Sequence, residues 1–223
     1  MSSTNPVQLP SDLRARILAS AAVTPSRTRS EGRRRAVVAY GGATLVGILH
    51  FEAWGGLAHS AGRPRVLTLS MALGAVVLAV ASSAVGWWRG STMVGRPAQI
   101  LWTAPLLVPA ITLAWLFAFH NRYVEPFARV GYRCLALSLV AGGALLCAAV
   151  WLRRGTVLRQ APLAGAALGA TAGAWSAVLV DLWCPLTNVP HSLVGHVLPI
   201  VVLATLGALL GQTTLRLRVP QPH

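Results

Sequence analysis

The chain has 223 residues, is 55% hydrophobic and only 11% charged, and carries a formal charge of +14 with a mean hydropathy of +0.61. A water-soluble domain carries about 25% charged residues, so the composition excludes an ordinary soluble enzyme, and its hydrophobicity excludes a disordered polar chain. All 19 cations are arginines that punctuate long apolar runs, which is not the clustered basic face of a direct nucleic-acid binder.

In chain order, residues 1–35 form a polar, arginine-rich tail. They lack the apolar core and small-residue cleavage site of a secretory signal, so the tail is expected to stay on the cytoplasmic side. Within it, residues 8–22 carry a short helix signal. Ser11 can cap the helix, Asp12 suits its first turn, and Leu13, Ile17 and Ala21 recur every four residues. A helix this short is unstable alone in water but can fold against a partner groove. Leu13, Arg14 and Ile17 are therefore candidate partner-binding residues, and residues 23–35 read as a linker. The competing reading is a basic leader drawn to anionic lipid, which Arg33, Arg34 and Arg35 fit best.

Six apolar segments follow, at about 36–57, 66–88, 97–119, 134–152, 160–183 and 191–213. Each is close to the roughly 20 residues that a helix needs to cross a hydrocarbon core. The alternating pattern of a membrane barrel is absent, and the loops are too short for another domain. The sequence thus predicts an all-α membrane protein, a bundle of six transmembrane helices over 36–213, with a short cytoplasmic tail over 214–223. Basic loops are retained in the cytoplasm. Fourteen arginines fall on the side shared by both termini and five on the other, so both termini are expected inside.

Pro105 and Pro109 interrupt the third segment and Pro199 the sixth. Interrupted helices serve transporters at midplane sites. A proton- or ion-coupled pathway also keeps charge there, whereas His50, Glu52, His120 and Asp181 all fall near outer ends. Gly165, Gly169 and Gly173 lie on one face of the fifth segment, and Gly207 and Gly211 on the sixth, a pattern for close helix approach. Trp54, Trp87, Trp88, Trp115, Trp151 and Trp183 sit near segment ends, as an interfacial aromatic belt would.

Cys134 opens the fourth segment and Cys184 closes the fifth, which puts both at the outer level of antiparallel neighbours. Adjacent helix ends can meet the separation of about 4.4–6.8 Å between Cα atoms that a disulfide needs. Cys147 lies thirteen residues deeper and reads as a buried packing residue. Close in sequence are Asp181, His191 and His196. Thiols and imidazoles suit a soft or borderline metal, but the spacing is no standard zinc pattern. His191 and His196, five residues apart, would also point about 140° from one another on an α-helix. A structural or switchable thiol pair, a metal contact and inert interfacial residues all remain open, and no metal is assigned. No catalytic motif of the common hydrolase, nucleotide-binding or dithiol type occurs, so neither an enzyme nor a resident cofactor is expected.

Several features of the second half resemble the NrsF family of membrane-bound negative regulators of extracytoplasmic-function sigma factors. They are Cys134, the WLRRG exit at 151–155, the glycine-rich fifth segment, Cys184-Pro185, His191, the Gly195-His196 pair and the GALLG-ending last segment. The likeness runs over about residues 130–213, and the six-span layout matches as well. It implies an anti-sigma factor of the bacterial inner membrane. Its cytoplasmic tail would hold the sigma factor, and a metal ion or oxidant acting at Cys134 and Cys184 would release it in a stress response. Its partners would be that sigma factor and the lipid bilayer, with no direct contact to nucleic acid. The alternatives are a small transporter or permease subunit and, third, a membrane thiol redox carrier.

Overall fold

In a computed structural model of the chain, residues 15, 29–60, 62, 64–87, 96–120, 130–154, 156, 158, 160–184 and 186–215 are described. The chain divides into two units, 1–37 and 38–223. The described part of the first is essentially the opening of α1. The candidate tail residues Leu13, Arg14 and Ile17 lie outside the described residues.

Among the described residues every regular element is helical. Six helices are long and apolar enough to cross a membrane. They are α1 (Arg29–Ala53), α2 (Arg65–Gly86), α3 (Ala98–Ala118), α4 (Tyr132–Arg153), α5 (Ala161–Trp183) and α6 (Val189–Thr214). A 3₁₀ turn, Gly56–Ser60, follows α1. The boundaries lie within a few residues of those predicted, except that α1 begins earlier, inside the arginine run.

α5 is the central helix, buried along most of its length, and α2, α3, α4 and α6 pack against it. Its glycines explain the closest of these contacts. A Cβ on Gly165 would overlap the carbonyl of Gly207, and one on Gly169 the carbonyl of Leu203. The backbones of α5 and α6 therefore touch, and dispersion contacts replace the hydrophobic drive that lipid would not supply. The outward side chains are apolar too. On α2, Val66, Leu69, Leu73, Val77 and Val80 are all exposed, the reverse of a soluble helix.

Polar bonds tie the helix ends. Arg153 at the end of α4 donates from Nη2 to the carbonyls of Gly86 (3.0 Å) and Trp87 (2.9 Å), covering orphan acceptors at the end of α2. At the opposite end of the bundle, Thr187 donates to the carbonyl of Phe119 at 2.7 Å, and His120 Nδ1 lies 3.1 Å from the carbonyl of Thr187. Within the second unit, α1 is held near its ends by aromatic contacts. Tyr40 packs on Trp87 with ring centroids 5.1 Å apart, and Trp54 meets Trp183 edge-on at 6.1 Å. Between them lies an apolar cavity of about 370 Å³ bounded by α1, α4 and α5.

Cys147 corrects one expectation, because it is exposed. It shares an outward stripe of α4 with the exposed Val140 and Trp151, and Gly143 on that stripe also faces open space. Its depth in the segment is the one the sequence predicts, but it lies on the outward face.

Candidate functional site

The start of α4, the exit of α5 and the start of α6 converge at one end of the bundle. Gly131 opens α4 with φ 86°, a left-handed conformation that favours glycine. A Cβ there would lie 2.9 Å from the carbonyl oxygen of His191, and one on Gly195 would lie 2.9 Å from the Cβ of Cys134. Two bare backbones thus bring the first turn of α4 against α6. On α6, Asn188 caps the helix by accepting from the backbone N–H of His191 at 3.0 Å.

α6 then widens into a π turn at Leu193–Val197, closed by a bond from the N–H of Leu198 to the carbonyl of Leu193. Pro199 follows. Its ring would clash with the carbonyl four residues back, that of Gly195, and it has no N–H to offer it. A wider turn resolves both conflicts. It also overturns the expectation that His191 and His196 point apart. That expectation assumed α-helical rotation, whereas the π turn brings their ring centroids to 5.5 Å.

Cys134, Cys184, His191 and His196 form one buried group, with a donor atom from each residue all within 4.8 Å of one another. His191 Nε2 lies 3.4 Å from the sulfur of Cys134 and 3.2 Å from that of Cys184. Both cysteines are free thiols. The hydrogen bond with Cys134 holds the Cys184 thiol well below its ordinary value, against desolvation by burial, and His191 adds to the lowering. His196 pairs through Nδ1 with Oδ1 of Asp181 at 2.8 Å. Its other nitrogen, Nε2, is buried with no hydrogen-bond partner among the described residues. A cleft of about 360 Å³, lined by Gly131, Tyr132, Arg133, Cys134, Cys184 and His191 among others, reaches the thiols from outside.

The four candidate signal-sensing residues are therefore brought together, while Leu13, Arg14 and Ile17 lie outside the described residues. Asp181 is a neighbour of the group in sequence, but its pairing with His196 is not among the sequence-based expectations. A carboxylate fifteen residues before a histidine, across a helix exit, has no local signature. Trp183 is a second residue that sequence reasoning assigned only to an aromatic belt. It stacks on His59 with centroids 4.1 Å apart and donates Nε1–H to the carbonyl of Trp54 at 3.1 Å. It thus joins the residue next to Cys184 to the end of α1.

No curated protein and no solved structure matches the chain. A family model described as NrsF, negative regulator of sigma F, matches residues 18–217. The match takes in all six helices from α1 to α6 and all four residues of the thiol–imidazole group, and extends well before the segment that carries the visible likeness. Leu13, Arg14 and Ile17 precede it. The chain belongs to the NrsF family of negative regulators of sigma F, a regulatory rather than an enzymatic family.

Proposed function

We propose that the chain is an anti-sigma factor of the bacterial inner membrane. In this reading its six helices cross the bilayer and both termini lie in the cytoplasm. The N-terminal tail holds an extracytoplasmic-function sigma factor away from RNA polymerase, so any effect on transcription passes through that protein. A stress signal acting at Cys134, Cys184, His191 and His196 releases it.

One observation carries the sensing part. A buried thiol–imidazole group sits directly beside Trp183, and Trp183 bonds and stacks onto the segment that ends α1. α1 leads in sequence back to the tail. Release needs only a difference in affinity between two states, and a tenfold change corresponds to about 1.4 kcal/mol. One indole hydrogen bond and one ring stack are of that order. The split of fourteen arginines against five supports the orientation, which puts the thiol–imidazole group on the outer face. Among the described residues, those lining the apolar cavity beside α1 include no carboxylate, imidazole or guanidinium, so the cavity does not favour the transporter alternative.

The test is co-purification of an extracytoplasmic-function sigma factor with membranes containing the full chain or a chain lacking residues 1–35. Capture is expected with the full chain and at least tenfold less without the tail. Equal capture by both would remove the tail from the scheme.

A further inference from the structure

We infer that Cys134, Cys184, His191 and His196 form a four-coordinate site for a divalent thiophilic cation of the zinc and cadmium class. This deepens the proposed reading by naming the chemistry of the signal, and it rests on that reading only for its regulatory consequence.

Three observations converge. The first is the donor set, two sulfurs and two imidazoles, a common combination for tetrahedral zinc. With zinc bonds of about 2.3 Å to sulfur and 2.0–2.1 Å to nitrogen, a tetrahedron has sulfur–nitrogen edges of about 3.6 Å. The two such edges at His191 are 3.4 and 3.2 Å, and no pair of donors is farther apart than 4.8 Å. Side-chain shifts of about an ångström would complete the polyhedron, with no movement of a helix.

The second is His196. Asp181 bonds Nδ1, which leaves Nε2 as a buried nitrogen with no hydrogen bond of ordinary length among the described residues, the Cys184 sulfur being the polar group it interacts with. A buried polar atom so weakly satisfied is costly, and a metal bond would satisfy it. A histidine whose far nitrogen is held by a carboxylate is the usual arrangement around a bound metal, where the carboxylate fixes the ring and strengthens the donor. Asp181 is then a positioning residue rather than a ligand.

The third is charge. Metal-bound sulfurs are thiolates, and two thiolates neutralise a dication, so the first layer of the site carries no net charge. Two thiolates around a monovalent ion would leave one uncompensated negative charge in the same buried space as Asp181, which is expensive. A divalent ion is therefore favoured, and the cleft beside Cys134 and Cys184 gives it a way in.

Full-length protein, purified in detergent, reduced and metal-free, is titrated with Cd²⁺ and separately with Co²⁺. One ion per chain is expected, with a sulfur-to-cadmium charge-transfer band and the visible absorption of tetrahedral cobalt. Both signals should vanish in Cys134→Ser and Cys184→Ser and persist in Cys147→Ser. His191→Ala and His196→Ala should each weaken binding at least tenfold. Asp181→Asn should retain the stoichiometry with an affinity about 10- to 100-fold lower and an altered cobalt spectrum. In the unaltered protein, bound metal should slow alkylation of Cys134 and Cys184 at least tenfold, a readout that needs no variant to fold. Absence of stoichiometric uptake, uptake that survives loss of both histidines, or unchanged alkylation overturns the site. None of these readouts involves a sigma factor. Metal uptake without release of a captured sigma factor counts against the regulatory reading alone, and release by an oxidant without metal uptake counts against the metal site alone.

Discussion

Trp183 donates its indole N–H to the backbone carbonyl of Trp54 across 3.1 Å, while its neighbour in sequence, Cys184, belongs to the thiol–imidazole group. This bond is the route by which the proposed signal at Cys184 would reach the end of α1. Trp183→Phe keeps an aromatic ring against His59 but removes the donor. We expect this variant to bind cadmium as the parent does, with its reporter induction by the metal reduced at least fivefold. Normal induction would exclude Trp183 as the connection.

The three cysteines should separate cleanly in a target-gene reporter. Cys134→Ser and Cys184→Ser are expected to change output by tenfold or more, because each removes a sulfur beside His191. Cys147→Ser should behave as the parent, since Cys147 faces outward and surface substitutions shift stability by about 0.5 kcal/mol or less. Similar effects from all three would point to a general loss of packing.

Packing of α5 on α6 makes a sharper stability prediction. Gly169→Leu would drive a side chain into the backbone of Leu203, and overpacking costs about 1–3 kcal/mol or more. Gly143→Leu faces open space and should be close to neutral. Heating in detergent followed by size-exclusion chromatography reads both, with the Gly169 variant expected to aggregate at a clearly lower temperature. Equal melting of the two variants would contradict the close approach.

Removing the Arg153 side chain strips two carbonyls at the end of α2 of their donor. Charged hydrogen bonds contribute about 1.5–3 kcal/mol, and this one is partly exposed, so the lower part of that range is expected for Arg153→Ala. Arg153→Lys should recover some of the loss. The same thermal assay decides the point, and a melting temperature unchanged by Arg153→Ala would mean that the cap contributes nothing.

Topology can be tested away from the buried thiols. In a background in which the three native cysteines are serine, Gly62→Cys lies in the turn before α2 and Arg154→Cys just beyond α4, both at exposed positions. An impermeant maleimide added to intact spheroplasts should label the first and not the second. The opposite pattern would invert the proposed orientation.

Much of the fold could be read from the chain because a membrane helix is specified by a local property, its run of apolar residues. The glycine faces of α5 and α6 were equally legible, since a spacing of four maps directly onto a helix face. The site was only half legible. Cys134 and Cys184 could be placed at one level by counting residues along antiparallel helices. The meeting of His191 with His196 could not, because rotation per residue changes inside a π turn and nothing in the four intervening letters announces the change. Pro199 is visible as an interruption of the sixth segment, but an interruption does not by itself announce a wider turn before it. The side on which Cys147 points was lost for a related reason. When nearly every residue of a segment is apolar, no contrast marks the face turned inward.

The wide turn before Pro199 has a consequence for how relatives are compared. It makes the four donors depend on a residue count as well as on residue identity. The wide turn absorbs one extra residue, so that His191 and His196 meet across five residues, an interval that would part them by about 140° on an ordinary helix. A relative with four residues from one histidine to the next could align them on an ordinary helix, about 40° apart, whereas one that keeps the interval of five needs the wide turn as well. The interval between the two histidines, taken together with the proline that follows the wide turn, is therefore the marker by which members of the family that share this chemistry can be told from those that only share its composition.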